Sequence, residues 1–379
     1  MKENKTKNNR AMKKVLAIGG ATLDTIIKYE EMETLVHQKN NFEEAYLLLA
    51  EGRKIEVTEQ QSFSGGGATN AAVALSKLGL EADLFCKIGQ DPAGDFILKE
   101  LNSYGLKPNY ICRVGHIGTA SSFVVPSLSG DRTIFAYRGA NSTLLAEELP
   151  EKAILDADFL YITSLSKASA AHLPEIVKLA KTHGTLVAIN PGSSQLKRGS
   201  GFLKESLFGI EILILNYEEA QLLMSSLLQE EQSDLEKNSD NPEKKENQPA
   251  HEQLLNQTQS AFSLIEFFKK VQKEGPKVVV VTNGSKGVYV CEGQTLLFHH
   301  ALKVMVVNTL GAGDAFGSSF VGAYLTGSSL QESIRFGVLN SASVVGYPDA
   351  KTGLLSREDI QKRLITLDDH LLETLPNLE

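Results

Sequence analysis

The sequence predicts an α/β protein built on a mostly parallel β-sheet that is covered by helices on both faces. Two observations lead to this prediction: short runs of Val, Ile and Leu recur along the chain, and helix-length segments separate them. A strand that is buried on both faces is a continuous apolar run, and parallel strands need long, usually helical connections. The predicted strands are 15–18, 159–162, 186–189, 212–215 and 278–282, and the predicted helices are 68–78, 170–182, 218–228 and 263–274.

A second, smaller sheet is predicted from segments that interrupt this alternation. Residues 121–125 and 133–137 flank Ser129-Gly130-Asp131, and Gly-Asp between two β-rich runs is a hairpin turn signal. Together with residues 55–63 they predict a small sheet beside the main one. A chain of 379 residues accommodates such an appendage on one large α/β domain.

The composition argues against several classes of protein. Lys and Arg total 38 against 46 Asp and Glu, and a net charge of −8 disfavours nucleic acid as a partner. Cys86, Cys112 and Cys291 lack disulfide or metal-site spacing, which predicts a reducing, cytoplasmic compartment. No apolar run reaches about 18 residues, so no membrane-spanning helix is expected. The basic amino terminus precedes too short an apolar run for a secretion signal and is predicted to be a polar tail.

The stretch 229–256 differs from the rest of the chain. Its 28 residues include eight acidic residues and three lysines, so it carries −5 of the net charge of −8. Because it has almost no apolar side chains, burial cannot offset the entropy lost on ordering. It is therefore predicted to be an acidic, disordered insertion between two helices. A docking segment for a basic partner is the alternative.

The segment 308–317, Asn-Thr-Leu-Gly-Ala-Gly-Asp-Ala-Phe-Gly, predicts a phosphate site. Its glycines begin a helix, where free backbone N–H groups and the helix dipole favour an anion. Asp314 would repel a bound phosphate, but a carboxylate there can accept the proton of a hydroxyl group that attacks phosphorus. The alternative is a tight strand-to-helix turn in which Asp314 is the N-cap.

A second glycine cluster, 64–70, reads Ser-Gly-Gly-Gly-Ala-Thr-Asn and opens another predicted helix. It fails the dinucleotide-binding pattern, because Asn70 stands where a third small residue is required. Asp24 follows the first predicted strand, and ligands bind at the carboxyl ends of strands in open α/β sheets. Asp24 and Asn70 are therefore candidate ligands for sugar hydroxyl groups, with a role as caps or turn residues as the alternative.

Two further motifs directly follow predicted strands. Residues 282–287, Thr-Asn-Gly-Ser-Lys-Gly, offer backbone access and a hydroxyl group to a nucleotide, or form an ordinary glycine-rich hairpin. Asn216 and Glu219 have the spacing of a helix capping box. They could instead orient water molecules around Mg²⁺, which prefers oxygen ligands and keeps much of its hydration shell.

These four motifs, in this order and at these separations, resemble the ribokinase-like carbohydrate kinase family, also called the pfkB family. The resemblance runs from about Val15 to Leu355, and segments 65–94 and 308–323 match best. It implies an αβα sandwich with a mostly parallel central sheet and a small β-sheet lid over the acceptor site.

The domain organisation that this resemblance implies is a kinase domain at 13–355 whose lid comes from about 24–64 and 117–140. The acidic stretch 229–256 is then an insertion, and 356–379 is a helical extension at the carboxyl terminus.

The implied activity is transfer of the γ-phosphate of ATP, with Mg²⁺, to a hydroxymethyl group of a sugar. By motif position Asp314 is the base, and the N–H groups of Gly311, Ala312 and Gly313 form the anion hole. The implied acceptor-binding residues are Asp24, Gly66, Gly67, Asn70, Arg138 and Asn141. The residues implied near the nucleotide are Asn190, Asn216, Thr282, Gly284, Gly287 and Asn340, with Glu219 near Mg²⁺ through water.

The sequence departs from the family pattern at Asn308, where the family usually has Asp. In several members that Asp supports a monovalent-cation loop near the anion hole. Asn keeps a carbonyl oxygen but lacks the charge, so the resemblance does not carry K⁺ activation over to this chain.

Two other functions stay open at this stage. The same family includes nucleoside kinases, and Phe123, Phe135 and Tyr137 are candidates either for a base-binding pocket or for the core. A non-catalytic nucleotide-binding scaffold is the third hypothesis, supported by the acidic stretch. A homodimer joined through the lid sheets is a further expectation, because an exposed sheet face or edge invites pairing.

Overall fold

The computed structural model describes residues 13–29, 33–39, 42–126, 132–196, 200–237 and 262–376. The amino-terminal segment predicted to be a polar tail lies almost entirely outside these residues. Within them, no helix has the length and apolar character needed to cross a membrane.

The described strands, numbered along the chain, are β1 Lys14–Ile18, β2 Thr22–Lys28, β3 Glu33–Lys39, β4 Phe42–Leu48, β5 Glu59–Gly65, β6 Glu81–Gly89, β7 Tyr110–Val114, β8 Ser121–Pro126, β9 Arg132–Tyr137, β10 Phe159–Ile162, β11 Leu186–Ile189, β12 Ile212–Asn216, β13 Val278–Thr282, β14 Val288–Glu292, β15 Thr295–His299 and β16 Leu372–Leu375.

The described α-helices are α1 Gly67–Lys77, α2 Pro92–Ser103, α3 Glu151–Asp156, α4 Leu173–Thr182, α5 Ser193–Leu196, α6 Ser200–Leu207, α7 Tyr217–Lys237, α8 Leu264–Glu274, α9 Ala312–Leu325, α10 Leu330–Val344 and α11 Arg357–Leu364.

The central sheet has ten strands in the order β16-β15-β14-β13-β12-β11-β10-β1-β6-β7. Pairing is parallel from β7 through to β13 and antiparallel from β13 to β16. The four valines of β13 are all fully buried, as expected for a strand covered on both faces. The predicted parallel α/β architecture is confirmed.

Two hydrophobic cores lie on opposite faces of this sheet. Val15 and Ala17 of β1 belong to the core that contains α1, α9 and α10, whereas Leu16 and Ile18 belong to the core that contains α4, α7 and α8. Successive side chains of a strand point to opposite faces, so each face of β1 is packed against its own layer of helices.

A separate four-stranded sheet, in the order β5-β2-β8-β9, forms the lid sheet. Strands β8 and β9 pair antiparallel, which confirms the predicted hairpin. Strand β2 pairs with both β5 and β8, so Asp24 lies on a strand of this sheet and not in a loop. The lid sheet therefore places acceptor candidates on regular backbone.

A further hairpin, formed by β3 and β4, is a sheet of its own. It lies in the region between Tyr29 and Glu51, which is longer than the family resemblance predicts. Sequence reasoning assigned no strand there.

Two predicted segments differ from the structure. Helix α7 continues to Lys237, into the stretch predicted to be disordered, because Glu, Gln and Leu are strong helix formers; residues 238–256 lie outside the described part. The carboxyl-terminal extension is helical only in part, since it ends in β16, which pairs with β15 at the edge of the central sheet.

Candidate active site

The segment that the sequence marks as a phosphate site forms the start of α9. Gly311 is the N-cap with φ 77°, a left-handed conformation that glycine adopts without strain. The Ala312 N–H bonds to Thr309 O at 3.3 Å, whereas the Gly311 and Gly313 N–H groups have no acceptor among the described residues. Unpaired N–H groups at a helix start form a site for an anion.

Gly311 is also the point where a second loop supports this turn. A Cβ atom at position 311 would lie 2.2 Å from the Cβ of Ala350, in the loop between α10 and α11. Only glycine allows that approach, so the loop around Ala350 forms the wall behind the helix start.

Asp314 lies in the first turn of α9, and Gly311 is the N-cap, so the alternative in which Asp314 caps the helix is wrong. The Asn70 amide Nδ2 donates a hydrogen bond of 2.8 Å to Asp314 Oδ2, which joins α1 to α9. Burial raises the pKa of the Asp314 carboxyl above its ordinary value, while the Asn70 hydrogen bond and the charge of Lys351 act to lower it. The nearby Asp24 carboxylate adds to the upward shift.

Asp24 is the second buried carboxyl group of the site, with 8 % of its surface exposed. The Ser122 hydroxyl of β8 donates a hydrogen bond of 2.6 Å to Asp24 Oδ1. Burial raises the pKa of Asp24, and the Ser122 hydrogen bond and the charge of Lys351 oppose this shift. Asp24 and Asp314 therefore share one electrostatic environment.

The glycines of the 64–70 cluster allow the lid sheet to approach the first strand of the central sheet. A Cβ atom on Gly65 would lie 1.8 Å from Asp24 Oδ2, and one on Gly66 would lie 2.4 Å from Gly20 O. A Cβ atom on Gly67 would lie 2.6 Å from the side chain of Thr163. These contacts bring Asp24 and the start of α1 together.

Asn70 has one polar atom without a partner. Its side chain is 5 % exposed, and its Oδ1 is buried without a hydrogen-bond donor among the described residues. A buried carbonyl oxygen without a donor is unfavourable, so a ligand hydroxyl group would satisfy it. The site is therefore suited to bind an alcohol.

Asn141 and Arg138 follow β9, and only Asn141 bonds to the loop after β1. Its Oδ1 accepts the Ala21 N–H at 3.1 Å, and its Nδ2 donates to Ala21 O at 3.0 Å. The Asn141 amide thus holds the backbone between β1 and β2. Arg138 is exposed.

A cleft of about 480 Å³ opens beside the start of α9. It brings together Asn216, Thr282, Gly284 and Gly287 from the two strand-end motifs with Ala312 and Gly313 of the helix start. Apolar side chains, including those of Val304 and Phe316, line the remainder. The combination of an apolar wall with a helix start that has unpaired N–H groups suits a nucleotide.

Two residues predicted to border the nucleotide do not line this cleft. Asn340 is fully buried, donating to Ser319 Oγ at 2.5 Å and accepting the Leu355 N–H at 2.8 Å, so its amide links α10 to its surroundings. The role of Asn340 beside the nucleotide stays a prediction. Asn190 donates to Ile214 O at 3.0 Å, which uses its amide between neighbouring strands.

The Asn216–Glu219 motif forms the reciprocal bonds of a capping box. The Asn216 N–H bonds to Glu219 Oε2 at 2.9 Å, and the Glu219 N–H bonds to Asn216 Oδ1 at 2.8 Å. Glu219 Oε1 accepts no hydrogen bond from a described residue, so it is available to a water molecule of a hydrated Mg²⁺ ion. Among the described residues, no group of three or more His, Cys, Asp or Glu side chains is placed to hold a metal ion.

Asn308 uses both atoms of its side-chain amide in hydrogen bonds beside the start of α9. Its Oδ1 accepts the Leu310 N–H at 3.0 Å, and its Nδ2 donates to Pro348 O at 2.8 Å. The amide thus connects the two loops directly, with a donor that a carboxylate lacks.

Sequence reasoning missed two cations of the site. Arg132, on the lid strand β9, lines the cleft and donates from Nη1 to Thr309 Oγ1 beside the helix start. Lys351 is fully buried next to Asp24 and Asp314. Neither lies in a recognisable motif, because only the tertiary structure brings them to the site.

The comparisons with known proteins agree with this arrangement. Residues 12–357 match the family described as pfkB family carbohydrate kinase. The chain is 27 % identical to a ribokinase of Staphylococcus aureus over 318 residues, covering 82 % of this chain and 91 % of the relative. The chain belongs to the pfkB family and is a carbohydrate kinase.

Solved structures show the same fold. The ribokinase of Arabidopsis thaliana, complexed with ribose and ATP, has a TM-score of 0.72 at 21 % identity, covering 94 % of this chain and all of that one. A nucleoside kinase of Burkholderia thailandensis, in complex with inosine, has a TM-score of 0.66 at 16 % identity, covering 93 % and 98 %. The predicted ribokinase-like fold is confirmed.

The contact between Gly311 and Ala350 predicts how a substitution at the helix start will behave. Gly311→Ala should lower the free energy of unfolding by about 2–4 kcal/mol, because it combines left-handed backbone strain with a clash. Gly327→Ala is the matched control, since Gly327 also has positive φ but no atom near its added Cβ. It should lose only about 1–2 kcal/mol, and equal losses in chemical denaturation would contradict the proposed contact.

The bonds of Asn308 predict that turnover does not depend on K⁺. Replacing K⁺ by tetramethylammonium at constant ionic strength should leave kcat unchanged within the error of the assay. Asn308→Asp should lower kcat in K⁺-free buffer, because a carboxylate would face the Pro348 carbonyl oxygen without a donor. A clear loss of wild-type activity without K⁺ would contradict this prediction.

Proposed function

We propose that this protein transfers the γ-phosphate of ATP to a hydroxymethyl group of a sugar. The observation that supports the proposal is the Asn70–Asp314 hydrogen bond, which joins an acceptor candidate to a carboxyl group in the helix turn that carries the unpaired N–H groups. A proton acceptor beside an anion site is the arrangement that phosphoryl transfer requires.

The acceptor alcohol would be held by Asp24 and Asn70. Asp24 Oδ2 and the buried Asn70 Oδ1 accept hydrogen bonds from sugar hydroxyl groups, while Gly66 and Gly67 keep the backbone close to the ligand. Asn141 acts through the backbone of Ala21, which it holds in place.

The nucleotide would occupy the cleft beside α9, with its phosphates toward Gly311 and Gly313. Thr282, Gly284 and Gly287 border the nucleoside part, and Arg132 brings a guanidinium group to the phosphates. Bound Mg²⁺ neutralises charge on the triphosphate during transfer, and Asn216 and Glu219 are suited to hold its water molecules.

Asp314 is the proposed general base. Its Oδ1 accepts no hydrogen bond from the described residues, so it is available to the acceptor hydroxyl group. As the alcohol oxygen bonds to the γ-phosphorus, the bond from that phosphorus to the bridging oxygen of ADP breaks, and the hydroxyl proton moves to Asp314. The N–H groups of the helix start stabilise the charge on the transferring group.

A sugar acceptor is favoured over a nucleoside by the lid sheet. Phe123 follows Ser122, whose hydroxyl bonds to Asp24, so the Phe123 ring lies on the opposite face of the sheet. Phe123, Phe135 and Tyr137 are each about half exposed on that outer face. Their position away from the Asp24 face of the sheet supports a sugar as the acceptor.

Incubation with ATP and each of ribose, fructose, adenosine and inosine tests the acceptor class. We expect an ADP-coupled assay to show a higher kcat/KM for a sugar than for either nucleoside, with a phosphate ester as the product. A higher value for a nucleoside would assign the chain to nucleoside kinases. Binding of these compounds without phosphate transfer to any of them would contradict the proposed reaction.

The role of Asp314 predicts the behaviour of Asp314→Asn. Turnover should fall by roughly 10²–10⁴-fold, the usual contribution of a general base. The melting temperature should not fall, because Asn keeps an acceptor for Asn70 and removes a charge that burial disfavours. Asp95→Asn, at an exposed aspartate that pairs with Arg113, is the control and should leave turnover unchanged. Near-normal phosphorylation by Asp314→Asn would exclude the base role.

A further inference from the structure

Lys351 is a fully buried lysine in the loop between α10 and α11. A buried ammonium group is unfavourable unless it is hydrogen-bonded and paired with opposite charge. The groups that contact the Lys351 ammonium group therefore show which interactions stabilise it in the interior.

The Lys351 ammonium group holds the end of lid strand β5. It donates to the Ser64 carbonyl oxygen and, at 2.9 Å, to the Ser64 hydroxyl oxygen. The carboxylate of Glu100, on α2, accepts the Ser64 N–H and its hydroxyl group, both at 2.9 Å. Glu100 Oε1 lies 3.9 Å from Lys351 Nζ, so the three residues form one network.

This network borders the acceptor site directly. Ser64 precedes Gly65, which lies against the Asp24 carboxylate, and the chain then enters α1, which carries Asn70. The position of Ser64 thus determines how Asp24 and Asn70, the two residues proposed to bind the acceptor, lie relative to each other.

The backbone around Lys351 reaches the phosphate side of the site. Asp349 Oδ1 accepts the N–H groups of Lys351 and Thr352, at 2.7 and 2.8 Å, which fixes the loop. Ala350, between Asp349 and Lys351, is the residue that contacts Gly311. The Lys351 side chain therefore connects the loop behind Gly311 to strand β5 of the lid sheet.

The charge of Lys351 also interacts with four carboxyl groups, which lie on three other elements and in its own loop. These are Glu100 on α2, Asp24 on β2, Asp314 on α9 and Asp349 in its own loop. Its charge acts to lower the pKa of Asp24 and of Asp314, against the effect of burial. Burial lowers the pKa of Lys351 itself to about 8, so it still carries its charge at neutral pH.

We infer that Lys351 is a positioning residue for phosphotransfer: it ties the acceptor-binding end of β5 to the loop behind the anion hole, and it brings a positive charge close to Asp24 and Asp314. The inference rests on the proposed kinase activity. Lys351 touches no reacting atom, since Ser64 and Glu100 surround its ammonium group.

The test compares Lys351→Met with Lys77→Met in the full-length chain. Lys77, on α1, donates to Leu354 O at 2.8 Å and so anchors the same loop. It is not among the charges that shift the pKa of Asp24 or Asp314. The control therefore removes a lysine anchor of the loop while leaving the electrostatics of the acceptor site unchanged. Both variants are assayed from pH 4 to pH 9 with the sugar that the wild type phosphorylates best.

Asp314 acts as a base only when ionised, so turnover falls on acidification through its pKa. Without the Lys351 charge that pKa rises, and the acid limb of the kcat profile should move upward by up to about one pH unit. We expect kcat at neutral pH to fall by about 10- to 100-fold and the KM for the sugar to rise. Lys77→Met should keep the wild-type acid limb.

An acid limb that stays at the wild-type pH in Lys351→Met would overturn the inference while the kinase activity stands. Absence of phosphate transfer by the wild type would instead overturn the proposed function, and this inference with it. If Lys351→Met does not fold, Lys351→Arg decides: it retains the charge, so its acid limb should match that of the wild type even where turnover is reduced. A shifted limb in Lys351→Arg would also overturn the inference.

Discussion

The hydrogen bond between the Asn70 amide and the Asp314 carboxylate is the interaction on which the rest of the candidate site depends. It joins the first turns of α1 and α9, two helices that pack in the same core. Small residues allow that packing: Gly322 of α9 lies against Leu75 of α1 and against Leu78, which follows α1, and a Cβ atom there would approach side-chain carbons to 3.0 Å. Because the helices are close, the short Asn70 amide can reach the Asp314 carboxylate and fix its position at the start of α9.

The close packing around the site also makes the charged forms of two carboxyl groups unfavourable. Asp24 is buried and Asp314 is half-buried, and desolvation raises the pKa of each carboxyl group. Hydrogen bonds from Ser122 and Asn70 and the buried charge of Lys351 counteract that effect. Donors from several elements thus oppose the upward pKa shift that burial causes in these two carboxyl groups.

Features of the fold and the site were predictable where residues close together in the sequence determine them. The valine run of β13 and the hairpin of β8 and β9 follow from side-chain periodicity and turn residues. Strand β16 does not, because four residues acquire their strand conformation by pairing with β15. Asn340 illustrates the same limit for side chains: its motif position suggested the nucleotide, but its partners Ser319 and Leu355 bury it in the core.

The sequence by itself determined the parallel α/β class, the glycine turn that begins α9 and the pairing of that turn with an aspartate, since these depend on residues within a few positions of one another. Only the tertiary structure decided which polar atoms remain available. The Asn141 amide bonds to Ala21 and the Asn308 amide bonds to Pro348, whereas Asn70 Oδ1 has no donor in the described part of the chain. Hydrogen bonding and burial between distant segments set these outcomes, and a linear pattern does not contain the distances that govern them.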